Sequence, residues 1–252
     1  MKRIESVKNE QIKNWKKLHS KKGRDKTGKF IVEGFHLVEE AIKANLVMEA
    51  ILITDDMEIP QKWTDSRQPL IIVTKQVLKE LTETPTPQGV IAILKKPSLP
   101  DKMATTGQWL LIDRVQDPGN VGTMIRTAEA CGMTGVVLGD GCADLYNSKV
   151  IRGTQGALFH LPIIQGNLLK MIQEVKAANM PVFGTAIHGA VEYTSIQVPK
   201  SFALIVGNEG EGVAKELLNE CQENVYIPIL GQSQSLNVAV ASGILMYYFK
   251  SS

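Results

Sequence analysis

Apolar residues recur along this chain in two rhythms, short continuous runs and a three-to-four residue spacing, and the two alternate over most of its length. In KNEQIKNWKKLHSKK, Ile12, Trp15 and Leu18 stand three apart among lysines, which predicts an amphipathic helix with one narrow buried stripe. KFIVEG then reads as a short strand and FHLVEEAIKANL as a helix. MEAILIT, PLIIV and GVIAIL are further strands, with KQVLKELTE as a helix between the last two. Residues 1–95 are therefore expected to form a small α/β domain, large enough for its own core. KKPSLPDKMATTGQ lacks periodicity and is rich in Pro, Lys and Thr, so residues 96–107 read as a linker.

From Gln108 a second alternation begins, and residues 108–252 are expected to form a second domain. WLLID is followed by a helix over VGTMIRTAEAC and by TGVVLG. Then come HLPII, the helix NLLKMIQEVKAAN, PVFGTAI, FALIVG, the helix VAKELLNEC, NVYIPI and a last helix SLNVAVASGILMYYFK. Continuous apolar strands separated by helices imply a mostly parallel sheet covered on both faces. Ligands of such sheets bind beyond the carboxyl ends of the strands, where DPGN and GNEGEG lie. Asn120 is the expected N-cap of the first helix and Gly132 its terminator. Val121, Ile125 and Ala128 share one face of it, with Arg126 on the adjoining face near Glu129. Ser235 is the expected cap of the last helix, and Ser235 and Asn237 need hydrogen-bond partners if buried. That helix is apolar around most of its circumference, which points to a subunit interface.

Composition adds constraints. Of 252 residues 44% are hydrophobic, yet no apolar stretch is long enough to span a bilayer, and the N-terminus lacks the apolar segment of a signal peptide. Three widely spaced cysteines and four scattered histidines suggest neither a disulfide framework nor a structural metal. A reduced, cytoplasmic protein is expected. The net charge of +2 hides an asymmetry, because residues 1–29 hold eleven Lys/Arg against three Asp/Glu. A basic end of this kind suggests a polyanion, most simply nucleic acid, with Lys22 and Arg24 among the candidate contacts.

The stretch IVGNEGEG, residues 205–212, raises the question of a ligand. A glycine-rich loop after a strand often cradles phosphate, but the lysine of a P-loop is missing and Glu209 and Glu211 would repel an anion. A neutral or cationic ligand suits it better.

Three segments in order, N-x-G-x-x-x-R-T-A, G-N-E-G-x-G and I-P-x-x-G-x-x-x-S-L-N-V, resemble the three motifs of the SpoU (TrmH-like) RNA ribose 2′-O-methyltransferases of the SPOUT class. YNSKVIRGTQGALFHLPI resembles the segment between the first two motifs, and the N-terminal part resembles the family's ribosomal-protein-like substrate-binding domain. The resemblance implies an α/β protein whose C-terminal domain is a trefoil-knotted, mostly parallel sheet, working as a homodimer with S-adenosylmethionine and without a metal. It implies Arg126 at the centre of catalysis, as base or electrostatic clamp, oriented by Asn120 and Glu209, with Ser235 and Asn237 shaping the ribose pocket. It further implies cofactor contacts around Thr185, Gly207, Ile227, Leu230 and Leu236, and RNA contacts that include Lys149 and Arg152. Ribosomal RNA is the expected substrate by analogy; transfer RNA, or RNA binding without catalysis, are the alternatives.

Overall fold

In a computed structural model that describes residues 2–65 and 68–251, the two alternations become two sheets. Contacts divide the chain into two compact units, Met1–Ser98 with Asp144–Phe159, and Leu99–Ala143 with His160–Ser252.

The first unit contains β1 (Lys2–Ile4), α1 (Glu10–Lys16), α2 (Lys21–Thr27), β2 (Lys29–Glu33) and α3 (Phe35–Lys43). It continues with β3 (Met48–Thr54), α4 (Gln61–Asp65), β4 (Leu70–Val73), α5 (Lys75–Lys79) and β5 (Val90–Lys95). The strand order is β1-β4-β3-β5-β2, with β5 antiparallel to both neighbours. The predicted stripe of Ile12, Trp15 and Leu18 is buried in one cluster with Leu52, Ile71 and Ile91. The helix carrying it is not continuous. A 3-10 turn at Lys17–His19 leads into an extended Ser20, whose hydroxyl accepts from the Gly23 N–H at 3.1 Å and starts α2. The turn is tight: a Cβ at Gly23 would lie 1.9 Å from the Lys17 carbonyl oxygen. β1 and α4 were not predicted, because each buries a single apolar residue, Ile4 and Trp63, and leaves no periodicity to read.

Further along the chain come β6 (Gln108–Ile112), α6 (Pro118–Ala130), β7 (Gly135–Gly139) and the unpredicted α7 (Ser148–Thr154), which belongs to the first unit. Then follow β8 (Ile163–Gly166), α8 (Leu168–Ala177), β9 (Val182–Thr185), β10 (Val191–Glu192), β11 (Phe202–Val206), α9 (Lys215–Leu218), β12 (Glu223–Tyr226) and α10 (Val238–Ser251). The seven strands run β10-β12-β9-β11-β6-β7-β8, and each neighbouring pair is parallel. All five residues of β7 and of β11 are buried, as two covered faces require. On one face Leu111, Val137, Ala203 and Ile205 pack with Ile172 and Val175 of α8 and Leu217 of α9. Alternation turns Phe183 and Phe202 the other way, and both meet Phe249 of α10 edge-on, at 5.2 and 5.3 Å. α10 also packs along α6.

Register then positions the loops. Ile112 pairs with Val206, Ile205 with Gly184, and Thr185 with Val225. The carboxyl ends of β6, β11, β9 and β12 therefore stand side by side, and the segments starting at 113, 207, 186 and 227 leave the sheet together.

Candidate functional site

The start of α6 sets the site. Asp117, not Asn120, is the N-cap: its carboxylate accepts from the Asn120 N–H at 2.8 Å, and Pro118 opens the helix. The Asp-Pro pair carried that signal in the sequence, since proline suits the first helical position. Gly132 follows the C-cap in a left-handed conformation, as expected. Freed from capping, the Asn120 side chain reaches both other motif loops. Its Nδ2 donates to Glu209 Oε1 at 3.0 Å, and its Oδ1 accepts from Asn237 Nδ2 at 3.0 Å. Asn237 Oδ1 in turn accepts from the N–H groups of Ala239 and Val240, at 2.9 and 3.3 Å. Asn237 thus caps α10, a role the sequence suggested for Ser235. A hydrogen-bonded line Glu209–Asn120–Asn237 ties the three segments together.

Glu209 also accepts from the backbone N–H groups of Asp117, at 3.3 Å, and Gln116, at 3.5 Å. Burial alone would raise its pKa, but the Asn120 amide and the backbone donors outweigh burial and hold the carboxyl below its ordinary value. Glu211 forms an ion pair with Arg114 at 2.8 Å. The carboxylates of the GNEGEG loop are therefore both engaged within the chain.

Four of the loop's own N–H groups, those of Asn208, Gly210, Glu211 and Gly212, are engaged as well. Asn208 Oδ1 accepts from Gly210 and Glu211 at 2.9 and 3.1 Å, and Asn208 and Gly212 pair backbone to backbone. Gly207 is needed for this closure. A Cβ there would lie 2.1 Å from the Val213 nitrogen, so the glycine makes room for the chain's own return rather than for a ligand alone. Residues that the sequence reading passed over complete the frame. Asp113, 5% exposed, accepts from the Ala214 N–H at 2.8 Å and from Arg114, whose guanidinium pKa it raises further. The Arg114 carbonyl accepts from Asn208 Nδ2 at 2.9 Å.

Thr185, Gly207 and Ile227 lie at the ends of the adjacent strands β9, β11 and β12, so the register brings these three expected cofactor positions together. Leu230, 98% exposed, and the partly exposed Ile229 and Leu236 form an apolar rim on the 227–237 segment. Arg126 is not drawn in. It is exposed on α6, has no hydrogen bond or ion pair among the described residues, and lies six residues beyond Asn120, on a different helix face. Among the described residues Asn120 and Glu209 bond to each other and to Asn237, and neither bonds to Arg126. Ser235 is exposed and likewise without a hydrogen bond among the described residues. No group of three or more metal-ligating side chains is assembled among the described residues.

The basic segment divides by accessibility. Lys22 and Lys149 are exposed. Arg24 is 4% exposed, donates to the Leu18 and His19 carbonyls at 2.8 and 2.9 Å, and pairs with Asp144 at 2.5 Å. It is a structural arginine, which corrects its assignment to RNA. Arg152 is half-buried beside a shallow cleft shared with His19, Glu33, Glu83 and Ser148.

The SpoU rRNA Methylase family matches residues 108–247, and the MRM3-like substrate binding domain matches residues 9–92. The 23S rRNA (guanosine(2553)-2′-O)-methyltransferase RlmP of Bacillus subtilis is 48% identical over 250 residues, covering 99% of this chain and all of the relative. An AdoMet-bound rRNA methyltransferase from Sinorhizobium meliloti superposes with a TM-score of 0.90 at 30% identity, covering 99% of this chain and 97% of that one. The AviRb SpoU methyltransferase of Streptomyces viridochromogenes, in complex with AdoMet, superposes at 0.85 with 25% identity, covering 97% and 98%.

Proposed function

Because this chain belongs to the SpoU rRNA methylase family, we propose that it is an S-adenosylmethionine-dependent ribose 2′-O-methyltransferase of ribosomal RNA. The observation that carries the reading is the line Glu209–Asn120–Asn237, which joins the three motif segments where β6, β11 and β12 end. The residues fit the cofactor. Main chain at Thr185, Gly207 and Ile227 offers polar groups in a row, and Leu230 and Leu236 present apolar surface suited to a purine. When bound, S-adenosylmethionine supplies an electrophilic methyl group.

The protein's own task is to align a ribose hydroxyl and to stabilise the charge that develops on its oxygen. Arg126 is assigned that charge. Its planar, cationic guanidinium serves as an electrostatic clamp rather than a base. Asn120, Glu209 and Asn237 hold the loops in register, and the Ser235 hydroxyl is assigned to the ribose pocket. The loops at 207–214 and 227–237 are assigned to the trefoil threading. Lys22, Lys149 and Arg152 are assigned to RNA, whose place in the cell makes the protein cytoplasmic.

We propose a homodimer through α6 and α10. Val240, Ile244 and Tyr247, at i, i+4 and i+7, form an exposed apolar stripe on α10. A two-fold contact there covers the stripe and carries the unpaired Arg126 into the interface.

The test is a ribose-methylation map of ribosomal and transfer RNA from cells with and without the protein, beside an in vitro assay of Arg126→Ala. One ribosomal 2′-O-methyl group should vanish, and the variant should bind cofactor but not transfer. A missing mark on transfer RNA would redirect the substrate assignment. Unchanged maps would reject the activity.

A further inference from the structure

Arg114 has no part in the chemistry above, yet several features of the fold converge on it. Its backbone is left-handed, with φ 53°, a conformation uncommon for a long side chain such as arginine that needs support from its surroundings. Its carbonyl accepts from Asn208 Nδ2 at 2.9 Å. Its guanidinium spans Asp113, at 3.2 Å, and Glu211, at 2.8 Å, and reaches the Gly212 carbonyl at 3.5 Å. The buried Asp113 meanwhile accepts from Ala214, the residue through which the chain leaves the loop, at 2.8 Å. Two consecutive residues at the end of β6 therefore grip the 208–212 hairpin at its entry, its tip and its exit.

We propose that Asp113 and Arg114 are positioning residues for the cofactor: they select the one conformation of the GNEGEG hairpin that S-adenosylmethionine meets. An exposed pair such as Arg114–Glu211 contributes little by itself. Here the guanidinium is already oriented by a buried carboxylate, so Glu211 meets a fixed partner and the hairpin loses its alternatives. The left-handed turn at Arg114 aims the side chain back over the loop, which explains why a residue with a Cβ stands where glycine would be easier. This inference rests on the reading that the hairpin borders the cofactor.

Arg114→Gly separates backbone from side chain, since glycine keeps the left-handed turn without strain and removes the guanidinium. With the hairpin populating its competent form only about a tenth of the time, calorimetry should show S-adenosylmethionine binding weakened about tenfold. KM for the cofactor should rise in parallel, while kcat at saturating cofactor stays within about twofold. Hydrogen exchange at Gly210 and Glu211, read without cofactor, should quicken. Arg114→Gly combined with Glu211→Ala should bind no more weakly than Arg114→Gly alone, because the glutamate acts through the arginine. Unchanged affinity and exchange, additive losses, or a loss confined to kcat would overturn the proposal. Faster exchange in a protein whose wild type binds no S-adenosylmethionine would instead keep the clasp and remove the cofactor reading.

Discussion

Asn120→Asp tests the hydrogen-bonded line at its centre. The substitution preserves shape and leaves Asn237 a carboxylate to donate to, but it replaces the amide that donates to Glu209 at 3.0 Å with a second negative charge. Loss of a hydrogen bond to a charged group costs about 1.5 kcal/mol here, at the low end because Glu209 is exposed. Two charges at that separation repel by about 1.4 kcal/mol in a water-like dielectric and about 5.5 kcal/mol at an effective dielectric of 20. A value of about 2 suits this half-open site, giving a total near 3.5 kcal/mol at pH 7.5. For a domain of this size that lowers the thermal midpoint by about 7–14 °C.

The cost is also conditional on protonation. At pH 5 the two carboxyls can share a proton, which removes the repulsion and restores a donor, so most of the loss should return. Asn120→Ala, which has no such proton to share, should lose about 1–2 kcal/mol at both pH values. The assay is thermal unfolding of wild type and both variants at pH 7.5 and 5.0. If Asn120→Asp matches Asn120→Ala at both, Asn120 does not donate to Glu209 and the line is wrong.

Arg24→Ala leaves the carboxylate of Asp144 without its buried partner and should destabilise the protein by about 3 kcal/mol in denaturant titration. Lys22→Ala should leave stability unchanged and weaken RNA binding in a salt-dependent way, read by filter binding. Ile244→Glu places a charge in the exposed stripe of α10 and should convert a dimer to a monomer by light scattering, with methyl transfer lost in step. The Glu209 carboxyl is held below its ordinary value, so the stability it contributes is complete above its unfolded pKa of about 4.3. That contribution is lost as pH falls from the unfolded value through the lower folded one, so Glu209→Gln should lose less stability than wild type on acidification through that range, read by thermal unfolding. Burial pushes the Cys142 thiol up to about 11 and that of Cys221 up to about 12, so both should resist a thiol reagent at pH 8 until the protein is denatured.

The sequence by itself determined most elements and the class of the second sheet, because continuous apolar runs such as FALIV can be buried only between two covered faces. It also located the three motif segments, whose glycines, asparagines and caps are local chemistry. Short pieces with one anchor, such as β1 and α4, were illegible for want of a period. What tertiary structure alone decided is how side chains are shared out. Asp117 takes the cap, which leaves Asn120 to join Glu209 to Asn237 across 89 and 117 residues of chain. Arg24 is spent on Asp144, 120 residues away, so a charge counted toward RNA became part of a core. Such choices depend on which strand ends stand side by side, and strand order arises from long-range pairing that no local pattern encodes.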